Sequence, residues 1–175
     1  FKQCGITETP KTYDEFLDTC KKLSSNGVKP LALGLADGDN GLHSVCGFLE
    51  SNFYETSEEG KEFDTKFAKG EKTMAGTLND SIEKWMQMVD EGYITPEMVG
   101  ISGNQAKDEF MAGKAGMYYS GPWEYENFKN AGLPFGVMPF LGPDADNAYL
   151  IGGPAASWGI NVNTKNEEGA EKVME

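Results

Sequence analysis

Three residues that could do chemistry stand together in the stretch "FMAGKAGMYYSGPWEYENF" (110–128): Trp123 behind a Gly-Pro corner, then Glu124 and Glu126. Two carboxylates can serve as acid and base across a glycosidic bond. Residues two apart on a helix do not face one another, however, so this pair would not flank a single substrate bond. The indole offers different chemistry. A sugar lays its C–H faces on such a ring while its hydroxyls take hydrogen bonds from neighbouring groups. Pro122 suits the first position of a helix and Gly121 the sharp turn before it, which sets Trp123 beside unpaired backbone N–H groups. The pattern alone leaves two readings open, a ligand platform and a core tryptophan. Trp85 and Trp158, on a helix face and a strand, read as core.

A second group lies in and after the loop "ADGDNG" (36–41). Asp39 and Asn40 carry short side chains with donors and acceptors, and the surrounding glycines would let backbone approach a ligand. An ordinary turn between strand and helix explains the same residues. His43 follows near a helix start and is the chain's one histidine, which leaves little room for a Ser/His/Asp or Cys/His nucleophile. The chain has no P-loop, dinucleotide fingerprint, HExxH or GxSxG pattern, so no cofactor or catalytic residue is assigned. Cys4, Cys20 and Cys46 are odd in number and contain no CxxC pair, which argues against a zinc site. Spacing alone permits a Cys4–Cys20 disulfide, whereas Cys20 on the apolar face of a helix suits a buried free thiol.

The elements that must hold these residues follow from periodicity. Thr12 and Glu15 form a capping-box pattern ahead of Tyr13, Phe16, Leu17, Cys20 and Leu23 at helical spacing, with Gly27 closing the helix. "KPLALGL" reads as a short buried strand. Leu42, Val45, Cys46, Leu49 and Phe53 continue as a second helix. A charged helix carrying Phe63 and Phe67 comes next, then an amphipathic one with Ile82, Trp85, Met86 and Val89 on one face. "NQAKDEFMAGKAGMYYSG" is a helix, a glycine stop and a strand. "LPFGVMPF" and "AASWGINVN" read as two more strands, and "NEEGAEKVME" begins a last helix. This mixture predicts an α/β or α+β fold.

At 175 residues the chain suits one domain with a proper core. Fifteen basic against twenty-eight acidic residues give a formal charge of −13, which repels phosphate backbones and anionic lipid and argues against nucleic acid and membrane-surface partners. No apolar run approaches a membrane span. The chain opens at Phe1 and stops inside a helical pattern, so both ends read as cut from a longer protein.

"GITETPKTYDEFLDTCKKLSSNGVKPLALG", "FMAGKAGMYYSGPWEYENF", "PFGVMPF" and "LIGGPAASWGINVNTKNEEGAEKVME" occur in an order that resembles the sugar-type, maltose-binding-protein-like solute-binding proteins of ABC importers. The resemblance covers essentially the whole chain. It implies an α/β, periplasmic-binding-protein-like (type II) lobe with a small mixed sheet flanked by helices. Residues 1–175 would be the C-terminal lobe of a two-lobe protein. It further implies a sugar ligand, no enzymatic activity, an extracytoplasmic location as a periplasmic protein or surface lipoprotein, and two protein partners, the missing N-terminal lobe and the importer permease. On this basis Trp123 becomes a stacking platform. Asp39, Asn40 and His43 supply cleft side chains, Tyr125 is a second ring, and Gly153 of the Gly152-Gly153 pair lets backbone approach the ligand.

Overall fold

The computed structural model describes residues 1–38, 47, 50–77, 79–144, 146, 148–150 and 159–174. Helix α1 (Tyr13–Ser25) starts where expected: Thr12 is extended and its hydroxyl accepts the Glu15 N–H at 3.2 Å. Glu15 answers one residue earlier than a capping box requires, taking the Lys11 N–H at 2.8 Å. Tyr13, Phe16, Cys20 and Leu23 turn inward. Gly27 leaves the helix at φ 73°, a left-handed conformation that glycine adopts without strain.

Strand β1 (Lys29–Ala32) pairs in parallel with β2 (Ala115–Tyr118), in the register Lys29↔Ala115, Leu31↔Met117 and Ala32↔Tyr118. A parallel pair requires a long crossover. Here it holds α2 (Glu58–Ala68), α3 (Asn79–Asp90), a 3-10 turn (Pro96–Gly100) and α4 (Gly103–Met111). Leu23 is fully buried where α1 lies on β2, and a Cβ at Gly116 would stand only 2.7 Å from its Cδ1. Glycine at 116 therefore lets the helix rest directly on the strand. After β2 come α5 (Tyr125–Asn130), the antiparallel strands β3 (Phe140–Leu141) and β4 (Ala148–Tyr149), and α6 (Glu167–Met174). Parallel and antiparallel pairing thus occur together, in two two-stranded sheets among the described residues, with helices around them. The main core joins α1, α3, Met98 and Met117 to Leu141.

Three expectations are corrected, the last over its described residues. Helix α3 is rotated from its anticipated face: Ser81 and Met88 are its innermost residues, while Ile82 and Met86 are 45% and 41% exposed. At 3.6 residues per turn, Ile82 and Met86 lie about 100–140° round the helix from Ser81. Trp85 and Val89 do pack against the core. The segment 133–140 forms no strand before Phe140. Pro134 and Pro139 have no N–H to give to a ladder, and Gly136 between them has no side chain to pack. Residues 159–163 are likewise irregular, with Val162 exposed, whereas the rest of that expected strand, Trp158 included, lies outside the described residues. So do Leu42, Val45, Cys46 and Leu49 of the expected second helix. Cys4 and Cys20 are free thiols.

Tyr13, Cys20 and Tyr93 are buried within the influence of Glu91. Burial first and the Glu91 carboxylate second push the Cys20 thiol up to about 12 from its ordinary 9.0. Burial and then a hydrogen bond to Glu91 raise Tyr93 to about 12. Tyr13, whose hydroxyl donates to the Lys84 carbonyl, is raised by the same causes, burial before Glu91. A raised folded pKa means that the native state holds protons that the unfolded chain releases. The associated stability is therefore complete below pH 9 and is lost as pH rises towards about 12. Urea unfolding should give a constant free energy from about pH 7 to 9 and a steady fall above it; an unchanged value at about pH 11 would contradict the burial of these groups. Leu23→Ala should cost about 2–5 kcal/mol and Ile82→Ala less than about 1 kcal/mol. Equal losses in the same denaturation experiment would restore the face expected for α3.

Candidate ligand site

Because Ala32 pairs with Tyr118 in a parallel ladder, the chain beyond β1 and the chain beyond β2 leave at the same edge. In open α/β sheets, ligands bind outside the carboxyl ends of the strands. Beyond β1 the backbone runs against residues 98–103: Leu35 N–H donates to the Met98 carbonyl and Ala36 N–H to that of Ile101, both at 3.0 Å. A Cβ on Gly34 would sit 2.5 Å from the Ser102 carbonyl, so only glycine allows this crossing. Ser102 and Gln105 form a complete capping box at the start of α4. The Asp37 carboxylate accepts the Gly103 N–H at 2.6 Å, filling one of the helix's free donors with a charge its dipole favours. Sequence reasoning passed over Asp37. The available signal was an acid just past a strand end, placed to meet a helix N-terminus.

Beyond β2 the chain passes Tyr119 and Ser120 to Gly121, which is extended, and Pro122 then opens a 3-10 turn (Pro122–Glu124). Trp123 in that turn is 69% exposed. Its indole folds back over Gly121, where any Cβ would collide with the six-membered ring. Trp123 is therefore not part of the core of the described residues. Glu124 is the opposite case, at 8% exposed. One carboxylate oxygen lies 3.2 Å from the Lys107 ammonium of α4, and the other accepts from Asn127 Nδ2 of α5 at 2.7 Å. Glu126 is exposed and faces Lys129 at 3.6 Å. The two carboxylates thus hold different partners and do not converge on one point.

Tyr125 is half-exposed and already engaged. Its ring meets Phe135 edge-on at 5.8 Å, and the Lys129 ammonium lies 5.7 Å from its centroid. Phe135 meets Phe128 at 5.4 Å, Phe128 meets Phe110 at 5.5 Å, and Phe110 stacks on Tyr118 at 5.8 Å. This chain of rings underlies the corner, and Trp123 is not a member of it. Asp39, Asn40, His43 and Gly153, with Gly152, lie outside the described residues. Asp37 follows the end of β1, and Trp123 and Tyr125 follow the end of β2, the two strand ends lying at the same edge. Among the described residues no group of His, Cys, Asp or Glu could hold a metal ion, and no helix is long and apolar enough to cross a membrane. Two shallow depressions of about 300 and 330 Å³ lie elsewhere, around Tyr54, Lys61 and Asp64 and around Asp18, Lys21 and Tyr93.

Gly121→Ala should turn the indole aside without unfolding the chain, since an extended backbone accepts any residue and the colliding atoms end a rotatable side chain. The expected loss is below about 1 kcal/mol in denaturation, together with a changed near-ultraviolet circular dichroism. A loss of several kcal/mol would show instead that the indole is locked in place.

Over residues 1–175 the chain matches the family model described as bacterial extracellular solute-binding protein. It is 28% identical over 173 residues to a galactooligosaccharide-binding protein of Bacillus subtilis (strain 168), covering 95% of this chain and 38% of that protein. It is 26% identical over 177 residues to a maltooligosaccharide ABC transporter solute-binding lipoprotein of Streptococcus pneumoniae (strain ATCC BAA-255 / R6), covering 97% of this chain and 40% of that one. A solved family 1 extracellular solute-binding protein from Bifidobacterium longum subsp. infantis shares its fold with a TM-score of 0.77 at 29% identity, over 98% of this chain and 44% of its own. The chain thus spans less than half the length of each of these relatives. The fold is that of a periplasmic-binding-protein-like (type II) lobe, as the resemblance implied. Matched from its first residue to its last, this chain belongs to the bacterial extracellular solute-binding protein family.

Proposed function

We propose that residues 1–175 form the C-terminal lobe of a two-lobe protein that captures a mono- or oligosaccharide and delivers it to an ABC importer. The observation that carries this reading is Trp123, a 69% exposed indole at the carboxyl edge of the parallel strands, in a chain of this family. Two relatives named for oligosaccharides support the ligand class. A sugar ring on the indole buries its C–H face and leaves its hydroxyls for polar groups nearby. Asp39, Asn40 and His43 are proposed to supply those groups, since their segment continues the chain that leaves β1 on the same side. Gly153 is proposed to bring backbone close, and Tyr125 to add a second ring at the margin.

Charge supports a neutral ligand. All fifteen basic residues are lysines, so the bidentate recognition that arginine gives to carboxylates and phosphates is absent from this chain. Lys107 and Lys129, the partners of the two glutamates that follow Trp123 in the chain, are each engaged by a carboxylate. The same pairings argue against catalysis by Glu124 or Glu126, and the relatives are named as binding proteins. In this reading no bond is broken.

The family is extracellular, so the protein works outside the cytoplasm. Its N-terminal lobe would close over the ligand by hinge bending, and the closed form would dock on the permease. A single lobe provides one wall of the cleft and leaves most of a ligand in water. Residues 1–175 alone are therefore expected to show little or no saccharide affinity in calorimetry, and tight binding by this lobe would overturn the two-lobe account. For the whole protein, a neutral saccharide at about 100 times its Kd should add about 2.7 kcal/mol of stability, seen as a thermal shift. Trp123→Ala should cost on the order of 2 kcal/mol, about 30-fold in Kd. Full affinity in that variant, or hydrolysis of the oligosaccharide by the wild type, would sink the proposal.

A further inference from the structure

Helix α4 is fastened twice at the carboxyl edge of the strands. Its first turn is held by Asp37, at 2.6 Å from the Gly103 nitrogen, and its middle by Glu124, at 3.2 Å from the Lys107 ammonium. The second fastening is part-buried: the two side chains are 21% and 11% exposed for Lys107 and Glu124. Solvent therefore screens it far less than a surface pair, and leaving either charge alone is costly. Asn127 takes the second carboxylate oxygen at 2.7 Å, so Glu124 is held from α4 and α5 in two fixed directions. Its own N–H donates to the Gly121 carbonyl at 3.1 Å, and the N–H of Tyr125 donates to that of Pro122. The whole Pro122–Glu124 turn is thus pinned through one buried side chain. Trp123, in the same turn, is mostly exposed, its indole folded over Gly121, and among the described residues it has no hydrogen bond or ring contact comparable to the fastening of Glu124.

We infer that Glu124 and Lys107 are positioning residues for the ligand platform. The part-buried pair sets the angle at which Trp123 faces the cleft. Through α4 and the Gly103–Asp37 contact, it also fixes that angle relative to the segment leaving β1. Neither residue touches the ligand. Its effect on binding rests on the carbohydrate reading, while its effect on the indole does not, and the test uses both.

The experiment uses the whole protein, with maltotriose and galactotriose as probes. The charge-free double variant Lys107→Met/Glu124→Gln leaves no buried charge unpaired, and Glu124→Gln alone keeps an acceptor for Asn127. Kd is measured for wild type, the double variant, Trp123→Ala and the triple combination. In a background where Trp85, Trp158 and any tryptophan outside residues 1–175 are replaced by phenylalanine, time-resolved anisotropy follows the Trp123 indole without any ligand. The expected results are faster local motion of the indole in the double variant and recovery of most of the restraint in Glu124→Gln. Trp123→Ala should cost about 30-fold in the wild type but less than about fivefold in the double variant, because an unpositioned ring has little left to lose. Effects that multiply within about twofold, or an indole equally restrained in all variants, overturn the inference. If neither probe binds the wild type while the indole loosens, the carbohydrate reading fails and the positioning role stands.

Discussion

The parallel ladder between β1 and β2 is the constraint on which the rest depends. With Lys29 opposite Ala115 and Ala32 opposite Tyr118, both strands point the same way, so both following segments emerge at one edge. An antiparallel pair would have sent the Asp37 segment and the Trp123 corner to opposite edges. Parallel pairing also requires the long crossover, and α4 of that crossover lies where it can bind both segments. Leu23 on Gly116 holds α1 against the pair from one side. Lys29 and Glu109, 2.7 Å apart, join the start of β1 to α4 near its other end.

Charge follows two regimes in this chain. Exposed pairs such as Lys66–Glu62 and Lys72–Glu59 shift their partners' pKa values, lowering both glutamates and raising Lys66. Water and salt screen them, and they do little for the fold. Lys107–Glu124 is part-buried, so water screens it less and a missing partner costs more than at the exposed pairs. The abundant acid on the surface keeps a −13 chain away from anionic polymers.

Much of the fold was legible where local and tertiary preferences agree. Thr12, the inward row from Tyr13 to Leu23 and Gly27 specify α1 at every level, and the α4–Gly113–β2 sequence is as clear. The face of α3 was not legible, because Ile82 and Met86 are as apolar as the residues that pack, and only the neighbours decide which stripe turns inward. The stretch 133–140 misled for a related reason: its apolar residues suit a strand, but two prolines remove the donors a ladder needs. At the site, Trp123 was visible as a residue and ambiguous as a role. Its exposure depends on the turn pinned by Glu124, and the partner Lys107 lies seventeen positions away. Asp37 carried a local signal, an acid just past a strand end, but not the identity of its partner Gly103, sixty-six positions distant.

The account's central claim is a sugar ring lying on Trp123. A crystal structure of the whole protein with a bound neutral oligosaccharide tests it most directly. The account predicts a pyranose roughly parallel to the indole, its carbons about 4 Å from the ring plane, at the edge where β1 and β2 end. A saccharide held elsewhere, with Trp123 still open to solvent in the closed protein, would contradict it.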